Sequence, residues 1–171
     1  MGGNNRLYEV NLILTADNDP ELSKLTDYIR HESFPDSEGW YRLGMVLTKM
    51  GQFDKAEDIY QVLLNQTKDD EDKSHIYHLL GSIKKDQGEY QEALTFYEKS
   101  LASYRNTLPP NHPNLTMSYN DISLMHDDMG NCSKALPSYK EALEIKQQSL
   151  PPDHPHLAVS YDNIGVGVIY K

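Results

Sequence analysis

The chain repeats a loop sequence at a fixed interval. Residues 108–115, LPPNHPNL, return 42 positions later as residues 150–157, LPPDHPHL. Positions outside the loop repeat at the same offset, such as Ala93 with Ala135. A period of roughly 20 to 50 residues is typical of proteins built from stacked structural repeats. The period also favours binding over catalysis, because such stacks present long surfaces rather than closed pockets.

Within each repeat the apolar and small residues keep one order. An aromatic residue is followed three positions later by an aliphatic residue, then by a small residue, and a turn glycine comes last. The first three units place these four residues at Trp40, Leu43, Gly44 and Gly51, at Tyr77, Leu80, Gly81 and Gly88, and at Tyr119, Ile122, Ser123 and Gly130. The offset between the first two units is 37 residues, and between the next two it is 42. This pattern predicts helix pairs, with the turn glycine in the left-handed conformation that ends a first helix.

The second helix of each unit carries an alanine and, four residues later, a tyrosine. These pairs are Ala56 and Tyr60, Ala93 and Tyr97, and Ala135 and Tyr139. We expect the alanine to lie opposite the small residue of the first helix and the aromatic residues to fill the wider gaps. In the third unit Ser123 replaces the small glycine, Cys132 stands where earlier units have an aromatic, and Pro137 is tolerable only in the first turn of a helix.

The repeats define the predicted domain organisation. We place them at residues 37–70, 74–107 and 116–149, with a truncated fourth at 158–171. Residues 1–35 form a separate segment. Within that segment, strict apolar alternation over residues 7–14 predicts a strand, and helical spacing after Pro20 predicts a helix.

The order of these residues resembles the tetratricopeptide-repeat family over about residues 37–171. The 42-residue spacing, the Leu-Pro-Pro-x-His-Pro loop and the segments YNDI and YDNI resemble its kinesin-light-chain variety. The resemblance implies an all-α fold, a right-handed superhelical stack of helix hairpins. It also implies a scaffold that binds a protein or peptide in a concave groove lined by the first helices.

Alignment on the aromatic position assigns groove residues by this resemblance. They are Tyr41, Met45 and Thr48 in the first unit, His78, Ser82 and Lys85 in the second, Asn120, Leu124 and Asp127 in the third, and Asp162 in the fourth. The mixed character of the set suits an extended peptide with apolar anchors and backbone groups held by asparagine. The recurring Lys and Arg set that clamps a C-terminal carboxylate in some family members is not present in register.

The N-terminal segment carries a second resemblance. The sequence NNRLYEVNLILT, followed by Asp-Asn-Asp and a helix pattern, is similar to the tail of mono-ADP-ribosyltransferase domains that precede such repeats in some multidomain proteins. None of that family's catalytic positions lies in this stretch. The alternative to a scaffold is therefore a non-catalytic fragment of a transferase with appended repeats.

Charge and composition bear on the partner and the compartment. The formal net charge is −10, from 16 basic and 26 acidic side chains, which argues against a nucleic-acid or anionic-membrane partner. The single cysteine, Cys132, excludes an internal disulfide and fits a reducing compartment. No apolar run approaches the roughly 20 residues of a membrane span. We expect a cytoplasmic protein without a cofactor.

Three sets of polar residues are candidates for a catalytic or metal site. The run His126-Asp127-Asp128 cannot converge on one metal ion, because consecutive helical residues point about 100° apart. His112 and His154 occupy matching loops, where we expect each to cap or hydrogen-bond the turn. The acidic run 69–72 is expected to be a solvated loop whose charge favours the next helix. We predict no catalytic, cofactor or metal site.

The last predicted helix has no partner helix and no polar cap. Val159 and Ile164 would leave apolar surface bare, whereas solenoids usually end in a polar capping element. Two explanations stay open: the chain is a piece of a longer protein, or it self-associates through this helix.

Overall fold

The computed structural model describes the backbone of residues 37–169 and the side chains of residues 39–165. Over this range every regular element is an α-helix, and there are seven. The all-α fold predicted from the repeat pattern is confirmed for these residues. The chain divides into two compact units, residues 1–67 and 68–171. The predicted N-terminal strand and helix, within residues 1–35, lie outside the described residues.

The first unit contains one described helix pair. Helix α1 spans Ser37–Lys49 and helix α2 spans Phe53–Gln66. Gly51 separates them with a φ of 73°, and the amide of Gln52 donates to the carbonyl of Leu47 at 2.9 Å. This is the left-handed glycine that the sequence predicted. The pair buries an apolar seam made of Leu43, Leu47, Ala56, Ile59, Tyr60 and Leu63.

The second unit contains five helices that pack in chain order. They are α3 (Asp70–Asp86), α4 (Tyr90–Thr107), α5 (Pro113–Asp128), α6 (Cys132–Ser149) and α7 (Pro155–Ile169). Each helix packs against the next, from α3 on α4 to α6 on α7. A hydrophobic core lies where α4, α5 and α6 meet, and Leu94, Tyr104, Leu115 and Met125 belong to it.

Three helices, α3, α5 and α7, are capped at their starts by side chains that the sequence singled out. The Nδ1 atom of His112 accepts from the amide of Asn114 at 3.2 Å, and His154 accepts from His156 at the same distance. The prediction that both histidines cap their turns is confirmed. Asp69 accepts from the amide of Glu71 at 2.8 Å. The rest of the acidic run forms the first turn of α3 rather than a loop, so its charge lies at the positive end of that helix.

The second-unit repeats owe their longer period to their second helices. Helices α4 and α6 have 18 residues each, whereas α2 has 14. The additional turn is followed in both repeats by the Leu-Pro-Pro loop. Pro137 lies inside α6, beyond its first turn, so the expected restriction to the first turn is wrong. Its side chain is exposed, and the carbonyl one turn earlier belongs to Ser133, an exposed residue that can bond water instead.

The small residue of the first helix accommodates a tyrosine of the second helix. A Cβ placed on Gly44 would lie 2.5 Å from Cζ of Tyr60, and one on Gly81 would lie 2.8 Å from Cε1 of Tyr97. The expectation that alanine lies opposite the glycine stays a prediction, and Ala93 is fully buried. A tyrosine ring is larger than an alanine methyl group, so it depends more strongly on the absence of a side chain at the glycine.

The third repeat reaches the same packing with a serine. Ser123 is fully buried, and its hydroxyl donates to the carbonyl of Tyr119 at 2.8 Å. Tyr139, the counterpart of Tyr97, donates its hydroxyl to Oδ2 of Asp127 at 2.7 Å, four residues beyond Ser123. Tyr60 instead donates to the carbonyl of Tyr41, three residues before its glycine, at 3.3 Å. In the repeat that has serine, the tyrosine hydroxyl is therefore hydrogen-bonded to a residue nearer the C-terminal end of the first helix.

No helix among the described residues is long and apolar enough to cross a membrane.

Candidate functional site

The predicted groove residues of helix α3 contact neighbouring helices. The Nε2 atom of His78 lies 2.9 Å from Oδ2 of Asp121 on α5, and its ring centroid lies 5.5 Å from that of Tyr97 on α4. The Ser82 side chain lies beside the Tyr97 phenol. Lys85 is half-buried one turn further along. His78 therefore joins α3 to α5 and holds these two first helices side by side.

Burial keeps the Tyr97 phenol protonated. Loss of solvent raises its pKa well above the usual value, and the nearby carboxylates of Asp121 and Asp86 raise it further. A protonated phenol can donate one hydrogen bond and accept another. Tyr97 is thus a neutral polar group beside His78 and Ser82, and it contributes no charge there.

Helix α5 supplies both apolar and polar groups. Leu124 is 41% exposed, and Asn120 is half-buried one turn before it. Asp127 is bonded to Tyr139, so this carboxylate is held in place by the second helix of its own repeat. Asp162 lies at the position of helix α7 that matches Asn120, and it is exposed.

The three predicted residues of the first unit form a set of their own on α1. The Tyr41 ring centroid lies 6.4 Å from that of Tyr60, and Thr48 donates its hydroxyl to the carbonyl of Gly44 at 2.9 Å. Met45 is 45% exposed. Met45 is thus one of three exposed large apolar side chains among the described residues of this unit, with Val46 and Met50.

Three residues of the second unit extend the predicted face. Met117 is 38% exposed on α5, and Val159 is 55% exposed at the matching position on α7. Asp121 belongs to the same face through its contact with His78. Met117 and Val159 could have been found from the sequence. Met117 lies three residues before Asn120, on the same side of a helix, and Val159 stands at the equivalent repeat position 42 residues later. We call Met117, Asn120, Leu124, Val159 and Asp162 the first-helix face.

No group of three or more potential metal ligands converges among the described residues. In the run that begins at His126, the carboxylate of Asp127 points to Tyr139. Burial lowers the pKa of His126, and the positive charge of Lys134 lowers it further. Free Cys132 is half-buried at the start of α6.

Two family matches identify the architecture. Residues 40–74 and residues 72–148 each match the tetratricopeptide repeat, and together they cover well over half of the chain. The chain belongs to the tetratricopeptide-repeat family. A curated relative, the Photosystem I assembly protein Ycf3 of Acaryochloris marina (strain MBIC 11017), is 32% identical over 92 residues, which is 53% of this chain and 51% of that protein. This tetratricopeptide-repeat chain thus spans about half the length of the curated relative.

Solved structures show the same tetratricopeptide fold. A Podosopora anserina protein of kinesin-light-chain type, built from nearly identical TPR-like repeats, has a TM-score of 0.70 at 16% identity, covering 98% of this chain and 85% of its own. PcrH, in complex with the chaperone binding region of PopD, has a TM-score of 0.60 at 19% identity, covering 77% of this chain and 90% of its own. At such identities the likeness shows the fold alone. None of these comparisons supports the transferase resemblance of the N-terminal segment.

Proposed function

We propose that this chain is a non-catalytic scaffold that binds an extended peptide or partner protein on the first-helix face. The proposal is supported above all by three exposed apolar side chains at related positions of α5 and α7. They are Met117, Leu124 and Val159. Exposed apolar groups flanked by polar residues are typical of protein-binding surfaces.

The polar groups of the face suit a peptide backbone. Asn120 carries an amide that can donate to a peptide carbonyl and accept from a peptide N–H. It lies between Met117 and Leu124, at one-turn spacing, so apolar anchors of a ligand can flank a backbone contact. Asp162 adds an exposed carboxylate at the matching position of α7.

The relatives support binding of proteins in general. PcrH is a repeat protein of similar fold that holds a segment of PopD. The residues predicted for the groove of the first unit, Tyr41, Met45 and Thr48, offer a second contact region for a partner protein. The single cysteine fits a reducing compartment, so we propose that the scaffold acts in the cytoplasm.

A paired substitution tests the proposal. Asn120→Ala combined with Leu124→Glu removes one backbone contact and one apolar anchor, and both positions are accessible, so the helices should remain folded by circular dichroism. Proteins captured by the full chain are identified by mass spectrometry, and the strongest is purified for calorimetry. We expect the double variant to bind it at least tenfold more weakly, a loss of about 1.4 kcal/mol.

The matched control is Tyr90→Glu, which places a charge on an exposed apolar residue of a second helix. It should bind as the wild type does. Equal binding by the double variant and the wild type would place the interface elsewhere. Sedimentation across a concentration series tests the separate prediction of self-association through α7, and a strictly monomeric chain would contradict it.

A further inference from the structure

A cleft of about 400 Å³ opens within the second unit, away from the first-helix face. Its walls come from the end of α4 and the loop after it, the first half of α5, and α6. None of the residues predicted for the groove lines it. The proposed function therefore does not account for this feature.

The long repeat period produces the cleft. Arg105, Leu108 and Pro110 form one wall, and they lie in the last turn of α4 and in the Leu-Pro-Pro loop. These are the parts by which the 18-residue helix α4 and its loop exceed the 14-residue helix α2. Helix α6 is equally long and supplies the opposite wall. The additional turn thus provides walls for a space that a shorter helix would not enclose.

The inner part of the cleft carries apolar side chains. Leu108, Leu115 and Ile145 line it, and the last two are buried in the core shared by α4, α5 and α6. An aliphatic side chain entering from solvent would lose its contact with water against these residues, which favours binding.

The charges at the cleft are arranged asymmetrically. The guanidinium of Arg105 lies 5.5 Å from the centre of the Tyr119 ring, so the cation is already placed against an aromatic face. Across the cleft, Glu141 and Glu144 lie three residues apart on α6, both exposed and both lining the opening. Residues with this spacing share one side of a helix. The opening therefore presents two carboxylates beside the apolar side chains of the inner part.

We propose that this cleft binds a peptide segment of a partner protein in which an aliphatic side chain is followed by a lysine or arginine. The aliphatic group occupies the space between Leu108 and Ile145, and the cation pairs with Glu141 and Glu144. The net charge of −10 favours approach of a basic segment over an acidic one. This site is a second contact, independent of the first-helix face.

The test uses a blocked hexapeptide, Gly-Leu-Lys-Leu-Lys-Gly, titrated into the isotopically labelled full chain and followed by amide chemical shifts. We expect saturable shifts at residues of the cleft and weakening of binding as salt is added. A peptide with glutamate in place of lysine tests the charge, and one with serine in place of leucine tests the apolar contacts. Both should bind at least fivefold more weakly.

Protein variants complete the experiment. Glu141→Gln with Glu144→Gln keeps side-chain size and removes both charges, and it should weaken the lysine peptide about fivefold or more. The control, Glu98→Gln with Asp153→Asn, removes the same charge from exposed residues that do not line the cleft and should leave the affinity unchanged. Equal affinities for the two double variants, or shifts confined to the first-helix face, would overturn the proposal. So would the absence of saturable shifts with the lysine peptide.

Discussion

Gly81 is the position where one methyl group should have the clearest effect on stability. An added Cβ would lie 2.8 Å from Cε1, 2.9 Å from Cδ1 and 3.1 Å from Cζ of Tyr97. Tyr97 is 1% exposed and lies against the His78 ring, so it has little room to retreat. Gly165 on α7 is the matched control, because a Cβ there meets nothing within 4 Å.

Two opposing effects set the magnitude. Glycine to alanine inside a helix stabilises by roughly 0.8–1.0 kcal/mol. Overpacking a filled core costs typically about 1–3 kcal/mol. Gly165→Ala should show only the gain in stability from helix propensity. Gly81→Ala should show that gain minus the cost of overpacking. We therefore expect the Gly81 variant to be less stable than the Gly165 variant by about 1–3 kcal/mol, or roughly 2–12 °C in Tm for a chain of this size.

Urea denaturation followed by circular dichroism measures the difference, with thermal melts as a second reading. Combining Gly81→Ala with Tyr97→Leu should reduce the penalty, since the leucine side chain ends short of the ring edge. Combination with Tyr97→Phe should not reduce it, because the ring stays in place. If Gly81→Ala stabilises the chain as much as Gly165→Ala does, the contact between glycine and tyrosine does not limit the packing.

Three further perturbations follow from the helices of the second unit. Pro137→Ala should stabilise α6 by about 1–3 kcal/mol, and Thr95→Pro at the matching position of α4 should destabilise by a similar amount in urea denaturation. Asp69→Ala should cost about 0.5–2 kcal/mol by loss of the cap on α3, whereas Asp69→Asn should retain most of the stability. Burial, and then the charge of Lys134, lowers the pKa of His126. The unfolded chain therefore binds more protons as pH falls below about 6.5, and stability drops with acid. His126→Gln should flatten that drop in melts between about pH 7 and 5.

The backbone of the repeats was predictable because its signals are local. A left-handed turn needs glycine, and Gly51, Gly88 and Gly130 all have φ between 73° and 79°. A helix start needs an acceptor for its free amides, and His112 provides one. Each of these requirements involves residues that are neighbours in sequence, so spacing alone identifies them.

Contacts between helices were harder to predict. Helical spacing indicates which side of a helix a residue lies on, but it does not indicate which residue of another helix that residue contacts. His78 was assigned to an open groove, and it does lie half-buried, but it pairs with Asp121 on the next first helix. Asp127 likewise pairs with Tyr139. The close approach of Tyr97 to Gly81 was missed for the same reason, since the pattern does not say which of two second-helix residues comes nearest the glycine.

The tyrosine of the second helix links the packing of each repeat to its binding face. The Tyr60 hydroxyl donates to the carbonyl of Tyr41, Tyr97 lies beside Ser82, and the Tyr139 hydroxyl donates to Asp127. Each partner is a residue that the sequence assigned to the groove, yet the three lie at different distances from the small residue that receives the ring. The core position therefore affects which groove residue is held and which is left to meet a partner.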